Sequence, residues 1–164
     1  MIKTNEEQMK VKTVKIDSRR YSILKERGYT KDSINRNGEY EELKNRLLNI
    51  GGEAVVFFDE DIDKDKIITR GESFIHPQIK IMRGAISHCH SNSSEIWSKK
   101  QKSRNLYTGY ALSIDGIWRQ HSWVMEGLIL IETTIAREAY YGFRMERYEA
   151  EFFCMSNSAV RYPT

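Results

Sequence analysis

Only two cysteines, Cys89 and Cys154, occur in the 164 residues of the chain. That count excludes a disulfide-stapled secreted scaffold and points to a reducing compartment. No stretch approaches the ~20 consecutive apolar residues that a membrane-spanning helix needs. The opening MIKTNEEQMKVKTVKID places charges where a secretory signal needs its apolar segment. A cytoplasmic protein with no membrane partner is therefore expected. Charge of one sign is also scarce: a formal net charge of +3 permits a nucleic-acid partner without demanding one. With 40% hydrophobic residues there is material for one core and too little for two. The expected organisation is a single α+β unit with an N-terminal helical subregion over 1–52, a core over 53–156 and a mobile tail over 157–164.

The most informative stretch is YALSIDGIWRQHSWVMEGLILIETT, from Tyr110 to Thr134. Asp115-Gly116 and Glu126-Gly127 punctuate alternating apolar residues, which predicts three antiparallel strands joined by two tight turns. Counting back from two-residue loops sets Tyr110 opposite His121 in the first hairpin, and His121 opposite Glu132 in the second. Period-two alternation then places His121 and Glu132 on one face and Gln120 on the other.

Before this stretch, DSRRYSILKERGYT predicts a short helix capped by Asp17 or Ser18 and ended by Gly28, with Met9, Val11 and Val14 as sparse apolar residues ahead of it. Tyr40, Leu43, Leu47 and Ile50 fall at helical spacing, so a second helix is expected from about Glu39 to Ile50, stopped by Gly51-Gly52. AVVFF reads as a buried strand. The acidic residues Asp59, Asp61, Asp63 and Asp65 suggest a calcium loop, but Lys64 stands where that loop needs glycine and Arg70 where it needs glutamate. A solvated acidic turn is the expectation. Ile67 and Ile68 suggest a strand, and His76-Pro77 a turn. After the hairpins, Arg144 to Met155 reads as a strand or a short helix, with the partial alternation of MERYEAEFF favouring a strand and Cys154 expected among aromatics in the core.

Chemistry enters at SHCHSNSSEIW. Asn92 and Glu95 have capping-box spacing, so a helix should begin close behind Cys89 and continue to about Lys102. A thiol at a helix N-terminus sits beside unpaired N–H groups that favour the thiolate. A Cys at a helix start, then a His within a strand, then a carboxylate on the next strand is the order in which Cys89, His121 and Glu132 occur.

That order resembles the papain-like cysteine hydrolase superfamily in its transglutaminase-like and NlpC-type arrangement. HSWVMEGLILIET is similar to the His-containing hairpin of transglutaminase-like proteins, where an aromatic, here Trp123, follows the His and an acid ends the next strand. Glu132 stands where Asp or Asn is more usual. The resemblance implies a mostly antiparallel sheet packed against the helix that carries Cys89. It also implies acyl transfer on a peptide, amide or other acyl substrate, with no cofactor. Cys89 would be the nucleophile, His121 its base and Glu132 the group that orients His121. N–H groups of Cys89 and its first helical turn would hold the oxyanion, with Tyr110 or Gln78 as side-chain alternatives and Gln120 and Trp123 as supporting residues.

Two other functions compete. His88, Cys89 and His90, with His121, His76 or Glu132, supply the ligand types of a zinc site, although adjacent residues rarely converge on one ion. Trp97, Lys99, Lys100, Lys102 and Arg104 form a basic, aromatic patch that suits a nucleic-acid-binding module.

Overall fold

A computed structural model describes residues 18–158 except Gly28 and Asp59. Met9, Val11, Val14, Asp17 and Gly28, invoked above for the first helix, lie outside the described residues, as do residues 159–164 of the tail.

Helix α1 spans Ser18–Glu26 and α2 spans Glu41–Ile50. In α2, Leu43 and Leu47 are fully buried, so the predicted apolar stripe does face the core. Ala54–Val55 forms the short strand β1. Helix α3 follows over Lys64–Arg70, then β2 over Glu72–Ile75 and β3 over Ile79–Ile81. Ile67 and Ile68 therefore lie in a helix rather than a strand, and Ile67 fills the core. The acidic segment is not simply a solvated turn either. Asp61 is buried, accepts the hydroxyl of Tyr110 at 2.6 Å, and accepts the Asp63 N–H on its other carboxylate oxygen at 3.0 Å. These bonds anchor the turn to the sheet.

Helix α4 runs over Cys89–Lys99. Strands β4 (Asn105–Leu112), β5 (Ile117–Glu126), β6 (Ile129–Glu132) and β7 (Ala139–Arg144) come next, and helix α5 closes the fold over Arg147–Ser158. The expected strand over MERYEAEFF is thus a helix. It packs on α4, and Arg70 of α3 grips its Glu149 with two bonds of 2.8 and 2.9 Å. Cys154 is half-buried on α5 against Ser94 and Ser98 of α4 instead of inside an aromatic core.

The sheet has the order β2-β7-β4-β5-β6-β3, with β1 added parallel to β5. Its two outermost strands, β2 and β3, are consecutive in the chain and joined by His76, Pro77 and Gln78 alone. Four residue steps from Ile75 to Ile79 reach at most about 14 Å. Six strands laid flat would put their edges about 24 Å apart. The sheet must therefore curl towards a barrel, and its inner face collects Phe74 of β2 and Ile79 of β3 around Tyr107, Trp123, Leu130 and Tyr140. On the outer face, α2, α4 and α5 pack over Tyr110, Leu106, Val124 and Phe143. The protein is mixed α+β with a mostly antiparallel sheet, and β1/β5 and β3/β6 are its parallel pairs.

Both hairpin registers differ from the two-residue count. The first loop holds three residues, Ile114, Asp115 and Gly116, with Gly116 at φ 80°, and Leu112 pairs with Trp118. A slip of one flips every assignment, so His121 faces Gly109 and Tyr110 faces Gln120. The second loop is Gly127-Leu128, with Gly127 at φ 61° and Glu126 pairing Ile129. This slip is of two, which preserves parity and leaves His121 and Glu132 on the same face, two residues off direct opposition.

Candidate active site

The outer edge of β5 is shared. β1 pairs with Ile117 and Trp118, β6 pairs with Val124 to Glu126, and between them Arg119 to Trp123 has no strand on that side. The first residue of α4 enters this gap. There the His121 ring and the backbone N–H of Ser122 are close enough to the Cys89 thiol to favour its thiolate. Ser93 on the same helix donates its hydroxyl to the Ser122 carbonyl at 3.0 Å, which ties α4 to the strand one turn later.

The helix starts four residues earlier than the capping-box spacing suggested. His88 is its N-cap residue, without a side-chain cap bond. Asn92 lies inside the helix, where its amide donates to the Ala85 carbonyl at 2.8 Å and accepts the Ala85 N–H at 3.1 Å. The side chain therefore latches the loop that leads into Cys89. Gly84 has no room for a Cβ there, which would come within 2.2 Å of the Asn92 Cγ. The helix also ends at Lys99 rather than Lys102.

His121 lies on the inner face of the curled sheet beside Trp123 and Tyr140 and is only 3% exposed. Its Nε2 meets Glu132 Oε2 at 2.9 Å and Oε1 at 3.1 Å, which leaves Nδ1 for the thiol. Glu132 is fully buried, and both its oxygens are occupied. Oε1 accepts the N–H groups of Thr133 and Thr134 and the Thr134 hydroxyl, each at 2.9 Å. Oε2 accepts the Tyr140 hydroxyl at 2.8 Å.

Electrostatics follow this geometry. Burial alone would raise the Glu132 pKa, but the bonds from His121, Thr134 and Tyr140 outweigh it and hold the carboxylate at about 2. Burial works against a charged His121, yet the nearby Cys89 thiol and the Glu132 carboxylate push the ring up to about 9. Burial would also raise Cys89, but His121 and the Ser122 N–H bring the thiol below its ordinary value. All three shifts run in the direction that favours a thiolate–imidazolium pair backed by a carboxylate.

The remaining predicted residues fall in several places. Trp123 is fully buried inside the barrel, its ring near-parallel to that of His121 with centroids 6.5 Å apart, so it forms a floor and offers no surface to a ligand. Gln120 lies on the opposite face from His121, as parity predicted, beside Thr108 in a groove. Tyr110 is committed to Asp61 on that outer side, which removes it from the His121 environment. Gln78 is exposed ahead of β3, three residues before Ile81, the residue level with Glu132.

His90 was considered only as a metal ligand, and its position is the site feature that sequence reasoning missed. Its Nδ1 lies 2.5 Å from the Ser122 Oγ, which donates to the Thr108 Oγ1 at 3.0 Å. Burial, with the nearby His121 charge, lowers His90 to about 4. No periodicity signals this, because it depends on which strand the helix meets.

His88 is exposed, His90 turns to Ser122 and His121 to Glu132, so these rings diverge. Among the described residues no three His, Cys, Asp or Glu side chains converge as metal ligands. In the basic patch, Trp97 and Arg104 are buried while Lys99, Lys100 and Lys102 are exposed, and Arg104 spends one guanidinium nitrogen on the Ile96 carbonyl at 2.8 Å. No helix among the described residues is long and apolar enough to cross a membrane. Comparison with protein-family models, curated proteins and solved structures finds no match for this chain.

Proposed function

We propose that the chain is a cysteine-dependent acyl-transfer enzyme of the peptidase, amidase or transglutaminase-like kind, with Cys89 as nucleophile. The observation that carries this reading is the His121 ring held by the buried Glu132 carboxylate at 2.9 Å and lying close enough to the Cys89 thiol to lower its pKa. A helix start, a strand centre and a neighbouring strand end supply these groups, as in the papain-like superfamily that the sequence resembles.

The thiolate attacks the substrate carbonyl carbon and forms a C–S bond while the carbonyl π pair moves to oxygen. N–H groups at the start of α4 face the developing oxyanion. The tetrahedral centre collapses, and the imidazolium of His121 gives its proton to the departing amine. The thioester is then attacked by water or an amine that loses its proton to His121, and the thiolate departs. Glu132 fixes the ring so that Nδ1 serves the sulfur, and it steadies the imidazolium between steps.

Brief alkylation at graded pH, read by mass spectrometry, tests the reading. Cys89 should react much faster than Cys154 at neutral pH, and His121→Ala should slow that reaction by removing the cationic partner. Glu132→Gln should lower turnover of a chromogenic thioester roughly 10²-fold or more, as loss of an orienting group does elsewhere. Equal labelling of both cysteines, or a fully active Glu132→Gln protein, would refute the assignment.

A further inference from the structure

A cavity of about 490 Å³ lies where β4 begins, at Asn105, and β7 ends, at Arg144. Four arginines line it, each from a different part of the fold: Arg70 ends α3, Arg104 precedes β4, Arg144 ends β7 and Arg147 begins α5. Glu146, which is exposed, is the one acidic residue in the lining. Cations gathered from four segments repel one another unless anions answer them.

The acids of this protein answer them only in part. Arg70 is committed: it holds Glu149 with two bonds of 2.8 and 2.9 Å and gives a third to the Arg144 carbonyl at 2.7 Å. Arg147 spends its Nε on Glu151 at 3.0 Å, in an exposed pair along one helix that contributes little. Arg104 is only 6% exposed and gives one nitrogen to the Ile96 carbonyl at 2.8 Å. Its buried Nε has no hydrogen bond among the described residues, and Glu126 Oε1 stands 3.4 Å from it without hydrogen-bond geometry. The Arg144 guanidinium has no carboxylate partner among the described residues. Guanidinium donors therefore outnumber acceptors around this cavity, and one of the side chains left short is buried, which costs free energy until an acceptor arrives.

We propose that this cavity binds the terminal phosphate of a small phosphorylated molecule, at a site separate from Cys89. Trp97 in the wall lies eight residues along α4 from Cys89, about 12 Å down the helix. A phosphate monoester carries about 1.5–2 negative charges and three free oxygens, so guanidinium groups on different walls can each take one. A carboxylate has two oxygens and is satisfied by a single arginine fork. The volume leaves room for the organic part beside Trp97 and Met145. The site stands whether or not Cys89 is a nucleophile.

Calorimetric titration of the full chain with phenyl phosphate tests this, with benzoate and a single-stranded oligonucleotide bearing hydroxyl ends as further arms. Phenyl phosphate should bind at least tenfold more tightly than benzoate. Arg144→Gln and Arg147→Gln, both at exposed positions, should each weaken it at least fivefold, while Glu146→Gln, which removes the competing carboxylate, should tighten it. Thermal unfolding checks that each variant is folded, and Glu146→Gln reads the site by itself where an arginine variant is not. Cys89→Ala should bind as the wild type does. Absence of binding, binding unmoved by these charge changes, binding lost in Cys89→Ala, or an oligonucleotide that binds more tightly than phenyl phosphate overturns the assignment.

Discussion

The Tyr140 hydroxyl donates to the Glu132 Oε2 at 2.8 Å and accepts the N–H of Arg137 at 3.1 Å. The carboxylate that orients His121 is thus tied to β7 as well as to its own strand. Tyr140→Phe removes one donor from a buried anion, at a cost of about 1–3 kcal/mol. The Glu132 pKa should rise, so the acid limb of the activity profile should move to higher pH. A steady-state pH profile beside a denaturant titration checks both effects, and an unmoved acid limb would separate Tyr140 from the site.

Tyr110 gives the opposite expectation. Its hydroxyl serves buried Asp61, so Tyr110→Phe should destabilise the fold by about 1–3 kcal/mol through the carboxylate left short of a donor. Alkylation of Cys89 should proceed at the wild-type rate. A slowed alkylation would mean that the hydroxyl acts through His121 after all.

Gly109 sits across from His121 on one side and Gly142 on the other. A Cβ at Gly109 would come within 2.2 Å of the Tyr141 carbonyl oxygen, which is backbone and cannot swing aside. Gly109→Ala should therefore lower stability by about 1–3 kcal/mol or more by forcing β4 and β7 apart. Thermal unfolding measures this, and an unchanged Tm would show that the two strands have slack.

Stability should also depend on pH through the buried pair. Glu132 is depressed from 4.5 to about 2, so its contribution is complete above 4.5 and is lost as pH falls towards 2. His121 is raised from 6.5 to about 9, so its contribution is complete below 6.5 and is lost as pH rises through 9. The Tm advantage of wild type over His121→Gln should be widest between pH 4.5 and 6.5 and narrow on both sides. An advantage that grows from pH 7 to 9 would mean that His121 is buried neutral.

The helix-start cysteine and the shared face of His121 and Glu132 were legible because each depends on local chemistry: a change of periodicity near Cys89, and parity along a strand. Parity survived a register error of two in the second hairpin. It did not survive the error of one in the first, where Ile114 joins Asp115 and Gly116 in the loop, and so Tyr110 was set on the wrong face. Asn92 matched a capping box but found its partner in Ala85, seven residues back. Helix α5 was concealed because Tyr148, Phe152 and Met155 stand exposed, which leaves an apolar pattern without a matching buried face. Its anchor, Arg70 on Glu149, spans 79 residues and has no local signature.

The strand order also dictates when the fold can form. β1 must wait for β5, β3 for β6, and β2 for β7, so no early strand has its partner until the second half of the chain has been made. Loop closure over such separations is slow, and unpaired strands are exposed meanwhile. During synthesis the hairpins from β4 to β6 can pair as they emerge, and they become the template on which the earlier strands dock. Since His121 and Glu132 belong to that template while Cys89 arrives with α4 on its edge, the orienting pair would be assembled ahead of the nucleophile.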